Sequence, residues 1–346
     1  MTKKVAVALS GGVDSAVTAT LLLEQGYDVI GITGKMTCDD DSVINNAKKV
    51  ADKLGIQHYA YDATEEFNKH VVKYFENSYK TGVTPNPCIM CNKYVKWGGL
   101  LNYCLNTLKA DFIATGHYAN IKFVDGYYKL YPATDTTKDQ LYFLFLLDQE
   151  KLSKTIFPLA TYQKEEVKKL AEKYDLPPKS AKESQDICFI KPPLTTKKYL
   201  QNVIPESEGT FIEKRSGKIM GKHSGFWQYT IGQRKGIGIA APEALYVLDT
   251  DSEKNIVYVG YKNELYSDKL ILRNINWSYP QSEREFDALV KIRYNMKAVK
   301  AHVSCLDKIV LIEFSEPVSA LATGQACVLY NINDGHLLGG GIITRQ

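Results

Sequence analysis

Two cysteines lie one helical turn apart in the short segment Thr84-Pro-Asn-Pro-Cys-Ile-Met-Cys-Asn92. Thiols with the spacing of Cys88 and Cys91 could bind a metal, form a redox pair, act as a nucleophile beside an accessory thiol, or pack as small hydrophobic side chains. Cys188 lies much further along the chain, and catalytic residues commonly meet only in the folded protein. The local sequence leaves these alternatives open.

A glycine pair in Ser10-Gly-Gly-Val-Asp-Ser15 is the second feature that could do chemistry. The apolar run 4–9 before it predicts a buried strand, and residues 14–25 have the apolar spacing of a helix. A loop between a strand and a helix N terminus presents backbone N–H groups and the positive end of the helix dipole to an anion. The two serines could donate to phosphate, and Asp14 could hold Mg²⁺. The loop lacks the lysine of a Gly-x-x-x-x-Gly-Lys motif, and a plain glycine turn is the alternative.

Both features need a scaffold, and the first half of the chain predicts one. Apolar runs at 27–33, 56–61 and 111–115 predict further strands, and the spacing over 41–54 predicts a helix that ends at Gly55. Strands that alternate with helices predict a doubly wound parallel sheet covered on both faces. The loop and the paired cysteines are then expected in one α/β domain.

Short, glycine-bounded strands replace the helical pattern after about residue 195. The segment 245–259 predicts a hairpin, and 286–293 and 308–314 predict strands of a small antiparallel barrel or sandwich. We therefore predict a multidomain α/β plus all-β chain. Its parts are an α/β domain with a parallel sheet over 1–200, a small central domain over 201–265, and a C-terminal antiparallel β-barrel over 266–346.

Composition narrows the class of protein. The 346 residues include seven cysteines, an odd and irregularly spaced set that does not resemble a disulfide framework. A formal net charge of +4 permits a nucleic-acid partner without requiring one. The most apolar run, 141–147, is far shorter than the ~18 residues of a membrane span. The first residues leave no room for a signal peptide, so we expect a cytoplasmic protein without a membrane partner.

Taken together, the motifs resemble the family of bacterial tRNA 2-thiouridylases. The glycine loop is similar to the Ser-Gly-Gly-x-Asp-Ser loop of ATP-pyrophosphatases, which split ATP between the α- and β-phosphates and adenylate a carbonyl-type oxygen. That loop also occurs in amidating ligases, so it does not name the nucleophile. The segments that resemble the family, in order along nearly the whole chain, are 86–92, 114–118, 138–143, 184–189, 229–236, 291–294, 324–325 and 339–343.

The resemblance implies an enzyme that adenylates O2 of the wobble uridine in tRNAs of the lysine, glutamate and glutamine type. Sulfur then passes through a cysteine persulfide to give 2-thiouridine. By this resemblance Cys188 carries the persulfide, and Cys91 is the nucleophile that frees the sulfur or resolves the intermediate as a disulfide. The sulfur would come from sulfide or from a persulfide donor, namely a cysteine desulfurase or a sulfur relay protein.

The same resemblance implies that the domain over 1–200 is an ATP-pyrophosphatase domain and that the central domain over 201–265 binds tRNA. It also implies the ligand contacts. ATP is expected at Ala8, Leu9, Ser10, Gly11, Gly12, Val13, Asp14, Ser15, Gly34 and Gly116, with Mg²⁺ on Asp14. The tRNA or its target base is expected at Asn86, Pro87, Cys88, His117, Lys138, Asp139, Gln140, Arg293, Tyr294 and Gln325. Without the resemblance, His117 could equally be a satisfied histidine at a strand end. In the same way Lys138 and Arg293 could be solvated surface charges.

This chain departs from the family at two places. Many relatives carry aspartate at the position of Cys88, and here three thiols, Cys88, Cys91 and Cys188, could ligate three irons of a [4Fe-4S] cluster. Zinc is less favoured because a closed structural site needs four ligands. Relatives commonly have Met-Lys-x-Trp where this chain has the segment 34–38, which puts the adenine contact of Gly34 in question. An amidating ligase and a non-catalytic tRNA-binding or iron-sulfur sensing protein are the competing functions.

Overall fold

The computed structural model describes residues 2–38, 40–177, 187–273 and 275–344. Its first part contains sixteen helices and strands joined by short turns. In chain order they are β1 (Lys4–Ala8), α1 (Val13–Glu24), β2 (Asp28–Lys35), α2 (Asp41–Leu54), β3 (His58–Asp62), α3 (Thr64–Phe67), α4 (Lys73–Lys80), α5 (Pro87–Met90), α6 (Leu101–Asn106), β4 (Phe112–Ala114), β5 (Asn120–Val124), β6 (Tyr127–Tyr131), α7 (Gln149–Ser153), β7 (Thr155–Ile156), α8 (Lys164–Lys173) and α9 (Thr196–Gln201). Two π-helical segments, Asn68–Val72 and Cys91–Leu100, join α3 to α4 and α5 to α6.

The central layer is a five-stranded parallel sheet in the order β3-β2-β1-β4-β7. Alternate residues of β1 face opposite sides, as the pleat requires. Val5 and Val7 pack against α1, α2 and α8, whereas Ala6 packs against Trp97 and Leu100 on the other face. The predicted doubly wound sheet is confirmed. The strand order reverses between β1 and β4, which is where such sheets form a ligand crevice at their carboxyl edge.

Two all-β sheets follow. The central one contains β8 (Gly209–Glu213), β9 (Ile219–His223), β10 (Tyr246–Asp251) and β11 (Ile256–Gly260) in the order β10-β11-β8-β9. The predicted hairpin is the antiparallel pair β10 and β11. The last sheet contains β12 (Tyr266–Arg273), β13 (Asn276–Trp277), β14 (Glu285–Lys291), β15 (Val299–Leu306), β16 (Ile309–Ser319), β17 (Ala326–Asn331) and β18 (Leu337–Ile342). Its order is β12-β16-β15-β14-β17-β18-β13, and every pairing is antiparallel. The predicted class, α/β plus all-β, is confirmed.

The C-terminal sheet shares its core with the first domain. The apolar run 141–147, all of it described, forms a 3₁₀ turn over Leu141–Phe143 and fills this interface with buried side chains. Tyr142 OH donates to Ala326 O at 2.9 Å, and Asn276 Nδ2 donates to Phe145 O at 2.7 Å. Burial of this run on both sides holds the sheet of β12 to β18 against the first domain. Among the described residues, no helix has the length and apolar character needed to cross a membrane.

Candidate active site

The loop after β1 is folded by its own side chains. Ser15 Oγ donates to Gly12 O at 3.0 Å and accepts from Ser10 N at 3.2 Å, while Gly12 N donates to Ser10 Oγ at 3.4 Å. Gly11 has φ +73°, and a Cβ there would lie 2.7 Å from Asn46 Cβ on α2, so both conformation and packing require glycine. Gly12 is the N-cap of α1 and has no side chain to cover the helix N terminus. The loop therefore presents an anion-binding helix end at the crevice.

The turn after β4 packs directly against this loop. A Cβ on Gly116 would lie 2.9 Å from Asp14 Cβ and 3.1 Å from Ser15 N. Tyr118 OH, from the same turn, donates to Asp14 Oδ1 at 3.1 Å. Glycine is needed at residue 116 because the two loops approach each other across the point where the strand order reverses. The predicted nucleotide residues on β1 and β4 are thus brought together.

A lysine from α8 completes the loop. Lys164 Nζ donates to both oxygens of Asp14, at 2.8 and 2.7 Å, and its side chain is only 10% exposed. Lys164 N donates to Asp135 Oδ2 at 2.9 Å, which fixes the start of α8. The loop lacks a lysine in its own sequence but has an ammonium group beside it in the fold. The Asp14 carboxylate, to which Mg²⁺ is predicted to bind, is thus paired with this ammonium group.

Gly34 lies on β2 at the same edge of the sheet. Ala8 pairs with Ile32, so Gly34, two residues further along β2, is level with the start of the loop. Gly34 pairs with Tyr61 of β3, and a Cβ on Gly34 would lie 3.0 Å from Met36 Cε. This position suits a contact with the base of a nucleotide whose phosphates lie at the loop. The adenine contact stays a prediction.

The segment that leads into the cysteine helix is held by both all-β domains. Gln325 Nε2 donates to Thr84 O at 3.1 Å and to Pro85 O at 3.3 Å. Thr84 N donates to Thr323 O at 2.9 Å, and Thr250 Oγ1 of β10 donates to Gly82 O at 3.1 Å. Asn86 is the N-cap of α5, and Pro87 occupies its first turn, where proline is well tolerated. The orientation of Cys88 and Cys91 therefore depends on all three domains.

The three thiols share one environment. Solvent reaches Cys88 and Cys188 freely and Cys91 in part, yet the surrounding protein displaces enough water to raise the pKa of each thiol. Burial, with smaller contributions from the charges of Cys91 and Cys88, raises the pKa of Cys188 to about 12. That influence places the predicted persulfide residue within electrostatic reach of the other two. At neutral pH the thiols are mainly protonated and need a group that favours the thiolate.

The loop that carries Cys188 is anchored by its neighbour. The Phe189 ring lies 5.8 Å from that of Phe67, 5.3 Å from Phe75 and 5.8 Å from Tyr199, each in an edge-to-face arrangement. Aromatic contacts of this geometry stabilise beyond the area they bury. The described part of the predicted segment 184–189 begins at Ile187, and residues 184–186 lie outside the described residues.

His117 joins the two halves of the site. Its Nδ1 lies 2.7 Å from Thr115 Oγ1, and Lys96 Nζ lies 3.5 Å from its Nε2. Burial, and then the charge of Lys96, hold the pKa of His117 well below its usual range, so the ring is neutral at pH 7. Because an ammonium group can only donate, Nε2 accepts and the ring proton is on Nδ1. His117 therefore follows Gly116, which packs against Asp14 of the loop, and it contacts a lysine beside the thiols.

Comparison with known proteins matches all three domains. Family models described as tRNA methyl transferase HUP domain, tRNA methyl transferase PRC-barrel domain and Aminomethyltransferase beta-barrel domain match residues 3–192, 197–261 and 267–343. A Carboxydothermus hydrogenoformans protein named tRNA-specific 2-thiouridylase MnmA is 41% identical over 363 residues, covering 99% of this chain and 98% of that protein. A Microcystis aeruginosa protein of the same name is 42% identical over 351 residues, with coverage of 99% and 98%.

The chain belongs to the tRNA-specific 2-thiouridylase family. The family resemblance predicted from the sequence is confirmed, whereas no relative tests the residues assigned to ATP, sulfur or tRNA. Those assignments stay predictions that the geometry of this thiouridylase-family chain can support.

Three predicted tRNA residues, which follow β6 in the chain, form hydrogen bonds within this thiouridylase-family protein. Gln140 Oε1 accepts from Tyr118 N at 3.0 Å, and Gln140 N donates to Tyr118 O at 2.9 Å, which supports the turn that carries His117. Asp139 Oδ1 accepts from Ala133 N at 3.2 Å, and burial raises the pKa of this carboxyl to about 6. Lys138 N donates to Asp135 O at 3.1 Å. These hydrogen bonds stabilise the fold, and contacts of the three residues with tRNA stay a prediction.

The predicted C-terminal contacts lie on two surfaces. Arg293 is exposed, and its Nη2 donates to the carbonyls of Ser319 and Ala320. The Tyr294 ring lies 4.5 Å from that of Phe143 at the domain interface. Both side chains make contacts within the protein, so Arg293 is more than the solvated surface charge that its sequence alone would also allow. Their side chains brace the C-terminal sheet and the domain contact, and a role in binding RNA stays a prediction.

Sequence reasoning missed Lys164 and Lys96. A basic residue in the first turn of a helix opposes the helix dipole, so Lys164 at the start of α8 was an available signal that the lysine has another partner. Lys96 offered no such signal. In an α-helix a residue five positions after Cys91 would lie on a different face of the helix. Among the described ranges, no set of three or more His, Cys, Asp or Glu side chains is placed to bind a single metal ion.

Proposed function

We propose that this protein is a tRNA 2-thiouridylase that uses ATP to replace O2 of the wobble uridine with sulfur. The observation that carries the proposal is the turn from Gly116 to Tyr118. At one end it packs against the phosphate loop at Asp14, and through His117 and Lys96 it reaches the thiols. An activating site for a nucleotide and a set of sulfur nucleophiles thus lie on either side of three residues. The names of the relatives support this substrate and reaction.

The first half-reaction is activation of the base. O2 of uridine attacks the α-phosphate of ATP, the bond between the α- and β-phosphates breaks, and pyrophosphate leaves. The loop 9–15 and the N terminus of α1 would bind the phosphates, while Lys164 offsets their charge. Mg²⁺, where bound at Asp14, would neutralise charge on the departing pyrophosphate. This step is needed because the amide-like oxygen at C2 is a poor leaving group until it carries AMP.

The second half-reaction is sulfur transfer. The terminal sulfur of a Cys188 persulfide attacks C2, and AMP leaves with the original oxygen. The Cys91 thiolate then attacks the Cys188 sulfur, which forms a Cys91–Cys188 disulfide and releases 2-thiouridine. An external thiol reductant restores both cysteines for the next persulfide. The donor of the persulfide sulfur is proposed to be a cysteine desulfurase or a relay protein, and tRNA as substrate suits a cytoplasmic enzyme.

The test is anaerobic incubation with ATP, Mg²⁺, a sulfide or persulfide source and tRNA transcripts that carry a wobble uridine. Mass spectrometry of the digested nucleosides should show exchange of oxygen for sulfur that requires ATP. Cys305→Ser, which alters a thiol on β15, is the matched control and should retain activity. Addition of a methyl group, or no change in uridine with every sulfur source, would contradict the proposed reaction.

Cys88, as a third thiol, supports a second route to the same product. Three thiols within electrostatic reach of one another suit three irons of a [4Fe-4S] cluster, with the fourth iron open to bind sulfide. After anaerobic purification and reconstitution, each chain should then contain about four iron atoms and about four sulfides. A colourless, iron-free preparation with full activity would leave the persulfide route.

A further inference from the structure

The residue after Cys188 and the thiol of Cys91 pack against one apolar cluster of the first domain. Both Phe189 and Cys91 contact this cluster. Its buried members are Ala63, Phe67, Val71 and Val95. Consecutive Cα atoms are only about 3.8 Å apart, so the position of the Phe189 ring limits where Cys188 can lie. The contacts that hold this ring therefore also limit the separation of the two thiols.

Tyr199 of α9 is one of those contacts. Its ring lies 5.8 Å from that of Phe189 and 6.2 Å from that of Phe75 on α4, both in edge-to-face arrangements. Leu200, the next residue, is buried in the same cluster as Phe211 of the central sheet. Tyr199 thus lies between the loop that carries Cys188, the first domain and the central domain.

A buried carboxyl group fixes the end of the Tyr199 side chain. Tyr199 OH donates to Glu76 Oε1 at 2.9 Å, and Lys73 Nζ donates to Glu76 Oε2 at 2.9 Å. The Glu76 side chain is only 8% exposed. Burial of a carboxylate costs free energy unless hydrogen bonds satisfy it, so the arrangement in which both oxygens have partners is favoured. A polar contact therefore orients the Tyr199 ring in addition to its packing.

We propose that Tyr199 is a positioning residue for Cys188. Its hydrogen bond to Glu76 fixes the tyrosine ring, and the ring in turn holds Phe189. Cys188 is thereby kept within reach of Cys91. A disulfide requires Cα atoms about 4.4–6.8 Å apart, so a small shift of the loop lowers the fraction of molecules in which the two thiols can react. This role rests on the proposed function, in which Cys91 attacks the sulfur of Cys188, and it names the contact that aligns them.

The test measures the two thiols without ATP, a sulfur donor or tRNA. The full-length protein is equilibrated with glutathione, where two thiols form a disulfide as one oxidised glutathione gives two reduced molecules. Peptide mass spectrometry of the Cys91–Cys188 disulfide gives the effective concentration of one thiol at the other. Tyr199→Phe keeps the ring without its hydroxyl, and we expect a fall of about fivefold because one hydrogen bond is lost. Glu76→Gln keeps an acceptor for the hydroxyl and should retain most of the wild-type value.

Tyr59→Phe is the matched control, since it removes a hydroxyl that donates to Gln57 Oε1 at 2.8 Å on the exposed side of β3. Urea denaturation measures stability separately, because a purely structural role lowers the free energy of unfolding without changing the effective concentration in folded molecules. An unchanged value in Tyr199→Phe, or an equal fall in Tyr59→Phe, would overturn the proposal.

The wild type separates this inference from the proposed function. A wild type in which Cys91 and Cys188 form no disulfide would reject both the proposed sulfur-transfer step and the role of Tyr199. A wild type that forms the disulfide but no 2-thiouridine, with the fall in Tyr199→Phe observed, would reject the proposed function alone.

Discussion

The glycine loop over 10–15 and the thiol site differ in how far apart along the chain their residues lie. The loop takes its shape from Ser10, Gly12 and Ser15, which bond to one another within six residues. The thiol site takes Cys91 from one helix and Cys188 from a distant loop, and residues of both all-β domains hold the segment before that helix. Nucleotide binding should therefore survive changes that disable sulfur transfer. Changes that disable nucleotide binding, by contrast, should also reduce sulfur transfer, because activation of the base precedes it.

The largest expected effect is loss of either thiol that we propose to be catalytic. Cys91→Ser and Cys188→Ser should each abolish formation of 2-thiouridine, because a hydroxyl group cannot carry or displace the persulfide sulfur. ATP binding, measured by equilibrium dialysis, should equal that of the wild type. Detectable 2-thiouridine from either variant would contradict the two-cysteine assignment, and loss of ATP binding would show that the two regions are not separate.

The second-largest effect is expected for the ion pair at the loop over 10–15. Lys164→Met leaves the Asp14 carboxylate without its ammonium partner, so tRNA-dependent release of pyrophosphate should fall on the order of a hundredfold. The free energy of unfolding should fall by about 1–3 kcal/mol, less than for a fully buried pair because Asp14 is 32% exposed. Urea denaturation gives the second quantity.

Lys168→Met is the matched control for this change. Lys168 is on the same helix, is 53% exposed and pairs with Glu165 at 2.7 Å, so its loss should alter neither quantity measurably. Combining Lys164→Met with Asp14→Asn should cost much less than the sum of the two, because each removes the same ion pair. Additive losses would show that Lys164 and Asp14 act independently.

The smallest expected effect is at the contact between domains. Gln325→Ala removes the hydrogen bonds to the carbonyls of Thr84 and Pro85, so the cysteine helix should be less well oriented. We expect sulfur transfer to fall several-fold, with a loss of about 1 kcal/mol in stability and unchanged ATP binding. Gln201→Ala, on an exposed helix end, is the control. If tRNA affinity falls while Cys91 alkylation is unchanged, Gln325 acts through RNA and not through the helix.

Much of the first domain was predictable because its signals are local. The helix Asp41–Leu54, ended by Gly55 with φ +67°, follows from its apolar spacing and the glycine. The run 141–147 did not indicate its own structure, because a continuous apolar stretch suits any buried segment and only packing between two domains selects the 3₁₀ turn. The order of the strands, and hence the contact between Gly116 and Asp14, likewise follows from the fold.

The sequence by itself determined the glycine loop over 10–15, the pair of thiols near Pro87, the α/β and all-β division and the family. Each of these depends on residues close together in the chain or on motifs in a fixed order. The tertiary structure decided which charges face them. Lys164 reaches Asp14 from another helix, and Lys96 contacts His117 in the turn after β4. Such contacts leave no local pattern, because electrostatic partners are selected by distance in space and by shared burial rather than by spacing along the chain.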